Sequence, residues 1–569
     1  MSTVPLPPDY YDIPEPPPPP RRHNWKRIVA WTLGGVLGLV VVLLIAAVGL
    51  LRNQAFRQYL LRIAHSKISE AAGVDVRLRD FSVHWSGISP AVDMYDVVVE
   101  GAAPHPNPPL LQVDHLSVGV QIVSLFSRTW YLKDIAIDHP VVHVFVADTG
   151  DTNLPKPKSS GQSQTSVFDL GIRHVMLGQG EVYYNDQKSA LDADLHNLQF
   201  ESRFDSGPKR YSGGLSYSDG KIHFQNLNPM VHQFQAEFDA TPDTFTIKRA
   251  TLTSGASQFS LSATMNDYAR PKVTAAYQSS LDTGELRQVL KEASLPVGVL
   301  KLAGSARFES DPNKPAIETL ALDGNMSSSG LLIHTTTINT FVRDVTARYK
   351  LENGDAEVHD LKAGVLGGGL NGTFKMHDVT GAQQSELHAT LNNIALAAVQ
   401  SLASARAAQN FQVGGTANAN VDATWRKTFD TLSAHTDATL KGTISPKTAR
   451  SPFPLDGEIH AQYSASSQEV SLERSFFRLP QSSVNLNGTV SQRAAGLQVQ
   501  FQSNDLGEIE TVADAFGATT EPLGLGGTAS FTGTVRGSTE APQINGRLSA
   551  ASLKVKGTEW QTLRMNVDA

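Results

Sequence analysis

Two histidines are the best candidates for metal chemistry in this sequence. His139 and His143 lie four residues apart in DHPVVHV, a spacing that places both on one face of a β-strand. They could bind a metal ion if a carboxylate joined them from elsewhere in the fold. The HExxH zinc motif is absent because no Glu follows His139. Solvent-facing strand histidines are commoner than ligands, so we predict no metal site.

Two carboxylates could act as an acid and base pair. Asp192 and Asp194 in LDADLH share one face of a predicted strand. Glycosidases need two carboxylates at a defined separation, and a single sequence does not show the distance between these two side chains. We therefore predict solvated strand charges at both positions.

Other candidate motifs also have simpler interpretations. The glycine-rich runs Gly364–Gly372 and Gly524–Gly527 lack the Lys-Ser/Thr of a phosphate-binding loop and predict turns and bends. Asn325, Asn371 and Asn487 begin N-x-S/T triplets, which in a bacterial protein are turn and strand residues. The sequence has no nucleophile elbow to organise a Ser-His-Asp triad. We predict no catalytic residue, no cofactor and no enzymatic activity.

Composition excludes further classes of function. The chain has 569 residues, no Cys and a formal net charge of −7. Disulfides, thiolate metal sites and a nucleophilic Cys are therefore excluded. The mild acidity lacks the basic field that phosphate backbones require, so we predict no nucleic-acid partner.

The N-terminus contains the elements that would place the protein in the cell. Residues 28–51 are apolar and uncharged, and at 1.5 Å per residue they form about 36 Å of helix, enough to span a bilayer. A cleavable signal peptide is the competing interpretation, but the apolar core is too long for one. Basic residues are concentrated on the N-terminal side, so we predict a single-pass membrane anchor with a cytoplasmic N-terminus.

Two segments flank this predicted anchor. Residues 1–27 form a Pro-rich tail that we predict to be disordered, with a docking peptide anchored by Tyr10 and Tyr11 as the alternative. Residues 52–72 have apolar side chains at helical spacing and predict an amphipathic helix. This helix could lie in the membrane interface or lead the chain into the next domain.

From residue 73 onward the dominant pattern is strict alternation of apolar and polar residues. Leu116, Val118, Val120 and Ile122 alternate in this way, as do the valines of PVVHVFVA (Val142, Val144 and Val146). This period predicts strands with one apolar face, and turn residues interrupt them about every ten positions. The fold class predicted is mainly β.

The strands belong to an internal repeat. LAGSARFES, VGGTANANVDATW and LGGTASFTGTV place equivalent glycines at Gly304, Gly415 and Gly527, about 111 residues apart. A short helical stretch precedes each copy: LDTGELRQVLKEA, LNNIALAAVQSLA and NDLGEIETVADAF. The predicted units are a β region at 73–150, a linker at 151–166, and repeats at 167–280, 281–390, 391–504 and 505–569. The last unit is incomplete, so the chain is either truncated or short for its task.

An open sheet this large must twist along an axis. We expect thirty or more strands to build an elongated, twisted β-groove, which for thirty-five strands at about 4.8 Å each extends roughly 170 Å.

These blocks resemble the AsmA-like superfamily of bacterial envelope proteins, which includes TamB. The resemblance rests on GVDVRLRDF, PAVDMYDVVVEG, LLQVDHLSVGVQIVSL and KDIAIDHPVVHVFVADTGDTNLP after an N-terminal anchor, and on the repeated GGTA-type strand openings. It implies an inner-membrane protein whose β body lies in the periplasm and holds acyl chains on an apolar face. It implies no individual lipid-contacting residue.

The function predicted is envelope biogenesis, with the β-groove carrying or bridging phospholipids between inner and outer membranes. The alternative is a scaffold that captures outer-membrane proteins by strand addition to its exposed edges. A continuous apolar lining would favour the lipid hypothesis, whereas polar walls and an accessible edge would favour the scaffold. An envelope enzyme acting on glycans is a third alternative, which a cleft with convergent acidic side chains would support.

Overall fold

The computed structural model describes residues 58, 59, 61, 62, 65, 69, 74–86, 89–120, 132–155, 167–293, 295–334, 339–402, 411–446, 452–491, 494–515, 522–537 and 542–569. The predicted tail at 1–27 and membrane anchor at 28–51 lie outside these residues. The six described positions of the predicted amphipathic helix are helical. None of the helices described is long and apolar enough to cross a membrane.

The described strands form a single sheet of 27 strands. The first fourteen strands are β1 Val76–Arg77, β2 Asp80–Ser86, β3 Ser89–Val99, β4 Leu111–Val120, β5 Leu132–Val146, β6 His174–Asp186, β7 Leu191–Asp205, β8 Arg210–Phe224, β9 Met230–Ala240, β10 Thr244–Ser254, β11 Ser257–Asn266, β12 Lys272–Asp282, β13 Val297–Glu309 and β14 Leu320–His334. The remainder are β15 Asn339–Glu352, β16 Asp355–Val365, β17 Gly368–His377, β18 Gln384–Ala395, β19 Phe411–Arg426, β20 Thr428–Pro446, β21 Phe453–Ser464, β22 Glu469–Arg478, β23 Ser482–Ser491, β24 Ala495–Ser503, β25 Gly526–Gly537, β26 Pro542–Val555 and β27 Thr558–Asp568.

The sheet is a meander in which each strand pairs with its successor. From β3 to β27 every consecutive pair is antiparallel except β5 and β6, which run parallel, while β1 and β2 both pair with β3. Because β1 and β2 share one position beside β3, the ladder has 25 spacings of about 4.8 Å and measures about 120 Å. Mainly β structure is therefore confirmed.

Tight hairpins follow from local turn chemistry. Asn353 and Gly354 connect β15 to β16 with positive φ at both positions, and Lys556 and Gly557 connect β26 to β27 in the same way. Two-residue turns of this kind match the right-handed twist of the strands they join.

Alternation gives the sheet two chemically different faces. On β12 and β13 one face carries Val273, Leu281, Leu302 and Phe308, and cross-strand pairing in register keeps these side chains together. We call this the apolar face, and the opposite side, with residues such as Arg307, the polar face. Along β13 the apolar-face residues are half-buried and the polar-face residues are exposed.

All the described strands belong to this one sheet, so no second sheet of the described chain covers the apolar face. Tightly buried clusters are small, and one of them joins Val76, Val97 and Val113 near the N-terminal end of the ladder.

Three helices interrupt the meander at the predicted positions. They are Thr283–Leu290, Leu396–Leu402 and Leu506–Ala515, and they connect β12 to β13, β18 to β19 and β24 to β25. All three connections lead from an even to an odd strand, so in an antiparallel meander they lie on one rim of the sheet. Six strands separate consecutive helices, or about 29 Å of ladder. We call these the rim helices. Shorter helices occur at Val167–Leu170 and Ala316–Thr319.

The boundaries predicted between domains stay predictions. The first residues of the predicted linker pack against β5, because the buried Asn153 side chain accepts a hydrogen bond from the Phe145 amide and donates one to the His143 carbonyl.

Candidate functional site

The two candidate metal ligands have separate partners. His139 Nδ1 lies 3.7 Å from an Asp114 carboxylate oxygen, whereas the His143 ring stacks on Tyr183 at a centroid distance of 5.0 Å. His139 also has a positive φ of 48°, which breaks the regular alternation between the two positions. Across the described ranges, no group of three or more His, Asp and Glu side chains is arranged to hold a metal ion.

The predicted carboxylate pair shares the polar face. Asp192 lies opposite His223 and Asp194 opposite Lys221 on β8. Asp192 accepts a hydrogen bond from Asn185 at 2.5 Å. Both carboxylates are therefore strand charges with polar neighbours, as predicted.

The glycine runs and asparagines are structural, as predicted. Gly367 and Gly524 have positive φ at a hairpin turn and just before β25. Asn325, Asn371 and Asn487 lie within β14, β17 and β23.

A hydrogen-bonded network crosses four strands of the polar face near the N-terminal end. Asp93 lies at its centre and is only 7% exposed. Its carboxylate is 2.6 Å from His84 Nδ1 and 3.3 Å from His115 Nε2, and it accepts a bond from Ser82. His115 Nδ1 is in turn 2.9 Å from Asp138. Ser82 donates to the carboxylate and not to an imidazole, so these residues do not form the Ser-His contact of a catalytic triad.

These contacts shift two titrations in opposite directions. Burial acts to raise the pKa of Asp93, but hydrogen bonds from Ser117, His84 and His115 outweigh it and hold that pKa below its usual range. The hydrogen bond to Asp138, supported by Asp93 and opposed by partial burial, raises the pKa of His115. The network is therefore charge-assisted at mildly acidic pH.

A second set of His and Asp pairs lies at a depression of about 570 Å³ across β16 to β20, whose lining includes His388, Asp422 and Asp437. Asp437 lies between His460, at 2.6 Å, and His435, at 3.1 Å. The hydrogen bond from His460 and the charge of His435 hold the pKa of Asp437 below its usual range. His388 pairs with Asp422 beside them. These groups are solvated pairs and do not converge on a common ligand position.

The apolar face is the most extensive candidate for a binding surface. Val118 pairs with Ile135 and Val144 with Tyr184 on this face near the N-terminal end. Phe531 pairs with Leu548 on the same face near the C-terminal end. The alternation predicted for Val118 and Val144 is confirmed.

An aromatic pocket opens on this face beneath the Val167–Leu170 helix. It has a volume of about 420 Å³, within the range of small-molecule sites. Phe238 stacks between Phe200 and Phe245, with both centroid distances 5.7 Å. Tyr211 fixes this helix over the pocket. Its hydroxyl donates a hydrogen bond to the Val167 carbonyl at 3.1 Å and accepts one from the Ile172 amide at 3.0 Å.

Comparison with protein-family models, with curated proteins and with solved structures finds no match to this chain. The resemblance to AsmA-like proteins therefore stays a prediction from the sequence, and the site must be argued from the chain's own residues.

The aromatic pocket is the feature that sequence reasoning missed. Its three stacked phenylalanines come from β7, β9 and β10 and meet only when the strands pair in register. The available signal was Phe200 and Phe204, spaced by an even number on one strand, which by itself indicates only an apolar face.

Proposed function

We propose that this chain is a membrane-anchored periplasmic protein of envelope biogenesis whose apolar face carries phospholipid acyl chains between inner and outer membranes. The observation that supports the proposal best is the extent of the apolar face. Valine, leucine, phenylalanine and alanine side chains occupy paired positions on it from β4 to β27. Each acyl methylene moved from water onto such a surface contributes up to about 0.8 kcal/mol.

Two features of the apolar face suit a lipid ligand. Its side chains are only half-buried, because no second described sheet packs against them. Bound acyl chains would cover these side chains and remove them from water. The polar face, by contrast, carries pairs of oppositely charged side chains, which are stable in contact with water. The ladder of about 120 Å would let the carrier extend far from the membrane that anchors it.

Anchoring and localisation rest on the sequence. The anchor at 28–51 and the basic residues before it support attachment to the inner membrane, and the AsmA-like blocks support a periplasmic body.

The alternative, a scaffold for outer-membrane proteins, requires polar walls and a strand edge that recruits other strands. The predominantly apolar lining from β4 to β27 favours the lipid carrier over this scaffold.

Adjacent residues on β13 supply a matched experiment. Ala306 lies on the apolar face and Ser305 on the polar face. We expect phospholipid to co-purify with the full chain in mild detergent. The amount bound should fall several-fold in Ala306→Asp, because an acyl chain that covers the new carboxylate would strip water from its charge. Lipid extraction and mass spectrometry measure the bound lipid, and Ser305→Asp should retain it. A lipid-free wild type that retains outer-membrane protein fragments would support the scaffold instead.

A further inference from the structure

Four residues at paired positions form a polar crossing on the apolar face. Tyr277 on β12 pairs with Gly304 on β13, Gly304 pairs with Gly324 on β14, and Gly324 pairs with Tyr349 on β15. The two tyrosine hydroxyls meet at 2.7 Å although their strands are three spacings, or about 14 Å, apart. We call this pair the tyrosine bridge.

The glycines make the bridge possible. A Cβ atom on Gly304 would lie 3.0 Å from the Tyr277 hydroxyl oxygen, and one on Gly324 would lie 2.6 Å from the Tyr349 ring and hydroxyl. Both rings therefore lie over glycine backbone, where a larger residue would displace them. The sequence thus provides space for two rings that extend toward each other along the sheet.

The surroundings of the bridge are apolar on both sides. Leu302, Met326 and Ala347 occupy paired positions on one side, and Ala306, Leu322 and Leu351 on the other. The hydroxyls are thus a polar site in the middle of an apolar strip. Placing polar groups on such a strip is costly unless they find partners.

The bridge retains hydrogen-bonding capacity. Only one hydroxyl donates in the bond between them, so the other keeps its hydrogen, and neither has another hydrogen-bond partner in the described part of the chain. Burial and the hydrogen bond with Tyr277 raise the pKa of Tyr349 far above its usual range, so it remains protonated at physiological pH.

We propose that the tyrosine bridge binds the carbonyl or carboxylate oxygen of an acylated amphiphile whose chain lies along the adjoining apolar face. This inference rests on the proposed function and adds a specific polar contact to it. The free hydroxyl hydrogen is the donor, and the acyl oxygen is the acceptor. A free fatty acid and the ester group of a phospholipid offer the same chemistry.

Three photoactivatable probes test the proposal on the full chain in detergent. They are a diazirine palmitic acid, a phosphatidylethanolamine with the diazirine in its acyl chain, and a diazirine hexadecane that has no oxygen. Labelled peptides from β12 to β15 are quantified by mass spectrometry. The variant Tyr277→Phe/Tyr349→Phe keeps both rings over the glycines and removes both hydroxyls. Tyr463→Phe is the control, because Tyr463 lies on the same face and its hydroxyl has no partner among the described residues.

We expect labelling of the double variant by an oxygen-bearing probe to be roughly 3- to 10-fold weaker than labelling of the wild type, which corresponds to the loss of one hydrogen bond. Labelling by the hexadecane probe should be unchanged, and Tyr463→Phe should resemble the wild type. If the double variant loses labelling by the palmitic acid probe alone, the ligand group is a free carboxylate. If it loses labelling by the phospholipid probe, the ligand group is an ester.

Equal labelling of wild type and double variant by all three probes would overturn the proposal. The tyrosine bridge would then serve only to pack over the two glycines. The proposed function would survive that result. Absence of labelling anywhere on the apolar face of the wild type would overturn both.

Discussion

At the scale of single residues, the most informative group is Asp93. It is nearly buried on the polar face and is satisfied by two histidines and two serines. A hydrogen bond to a charged group contributes about 1.5–3 kcal/mol, and a buried group left without its partner costs a similar amount. Asp93 should therefore stabilise the start of the ladder far more than an exposed ion pair would.

We expect Asp93→Asn to weaken amide protection in β2 to β4 by about 1–3 kcal/mol at pH 5.5 and by less at pH 8. The pKa of His115 is raised in the folded state, so its contribution is complete below its unfolded pKa of about 6.5 and is lost as pH rises through the folded value. The pKa of Asp93 is lowered, so its contribution is lost only as pH falls below about 4. Hydrogen exchange with mass spectrometry at the two pH values measures the difference.

Asp114→Asn is the control for that experiment. Its carboxylate is 74% exposed and lies 3.7 Å from His139, so its loss should change protection by less than about 1 kcal/mol. An equal effect of Asp93→Asn at both pH values would contradict the charge-assisted network.

Residue-level prediction succeeded where the period of two persists and failed where it breaks. Val118 and Val144 face the apolar side as alternation requires. His139, with φ of 48°, and Gln179 on β6, with φ of 54°, mark positions where bulges shift the alternation. The tyrosine bridge joins residues whose proximity depends on three successive strand registers, so no local pattern could predict it.

At the scale of elements, the first and third rim helices share a sequence motif that explains how they are fixed. The first begins Asp282-Thr283-Gly284-Glu285 and the third begins Asp505-Leu506-Gly507-Glu508. Asp282 accepts hydrogen bonds from the amides of Gly284 and Glu285, and Asp505 accepts one from Gly507, so both act as N-caps.

The glutamate of each motif bonds to an earlier hairpin. Glu285 accepts from the Ala256 amide at 2.8 Å and from the Ser257 hydroxyl at 2.9 Å, in the turn between β10 and β11. Glu508 accepts from the Gln481 amide between β22 and β23. The first and third rim helices therefore connect hairpins that strand pairing alone would leave independent. The middle helix has Ala395 and Ala398 at the corresponding positions and lacks both contacts.

We expect Glu285→Ala to reduce amide protection in the Thr283–Leu290 helix and the β10–β11 turn by about 1–2 kcal/mol, because two donors lose a charged acceptor. The converse change, Ala395→Asp/Ala398→Glu, should strengthen the middle helix by about 1 kcal/mol. Hydrogen exchange resolves each segment. Glu309→Ala removes an exposed carboxylate paired with Lys272 and should have no measurable effect. A matching loss in Glu309→Ala would show that the effect is general electrostatics and not this contact.

The sequence predicted these helices because a change from strand to helical period is visible locally. Their position on one rim follows from counting strands between them. Their contacts with earlier hairpins were not predictable, because Glu285 and Ala256 meet only after the hairpin and the helix have both formed.

At the scale of the whole molecule, the fold is close to one-dimensional. From β3 onward every strand pairs with its sequence neighbours, and the helices add contacts over only a few strands. Stability in such a ladder is a sum of unit and nearest-neighbour terms, as in repeat proteins. A repeat unit should therefore be removable if the strands on either side of the junction can pair in the same way as before.

Deletion of residues 283–395 tests this directly, since it joins Asp282 to Leu396 and removes β13 to β18. Six strands is an even number, so β12 and β19 keep their antiparallel relation, and a rim helix still connects them. We expect a folded chain whose ladder is shorter by about 29 Å, as measured by electron microscopy of the purified full-length and deleted proteins. Deletion of residues 283–319 removes one strand, β13, together with the helices Thr283–Leu290 and Ala316–Thr319. The strands β12 and β14 would then have to run parallel without a crossover, and that variant should fail to fold. If the two deletions behaved alike, strand polarity and unit boundaries would not govern this fold, and the one-dimensional description would be wrong.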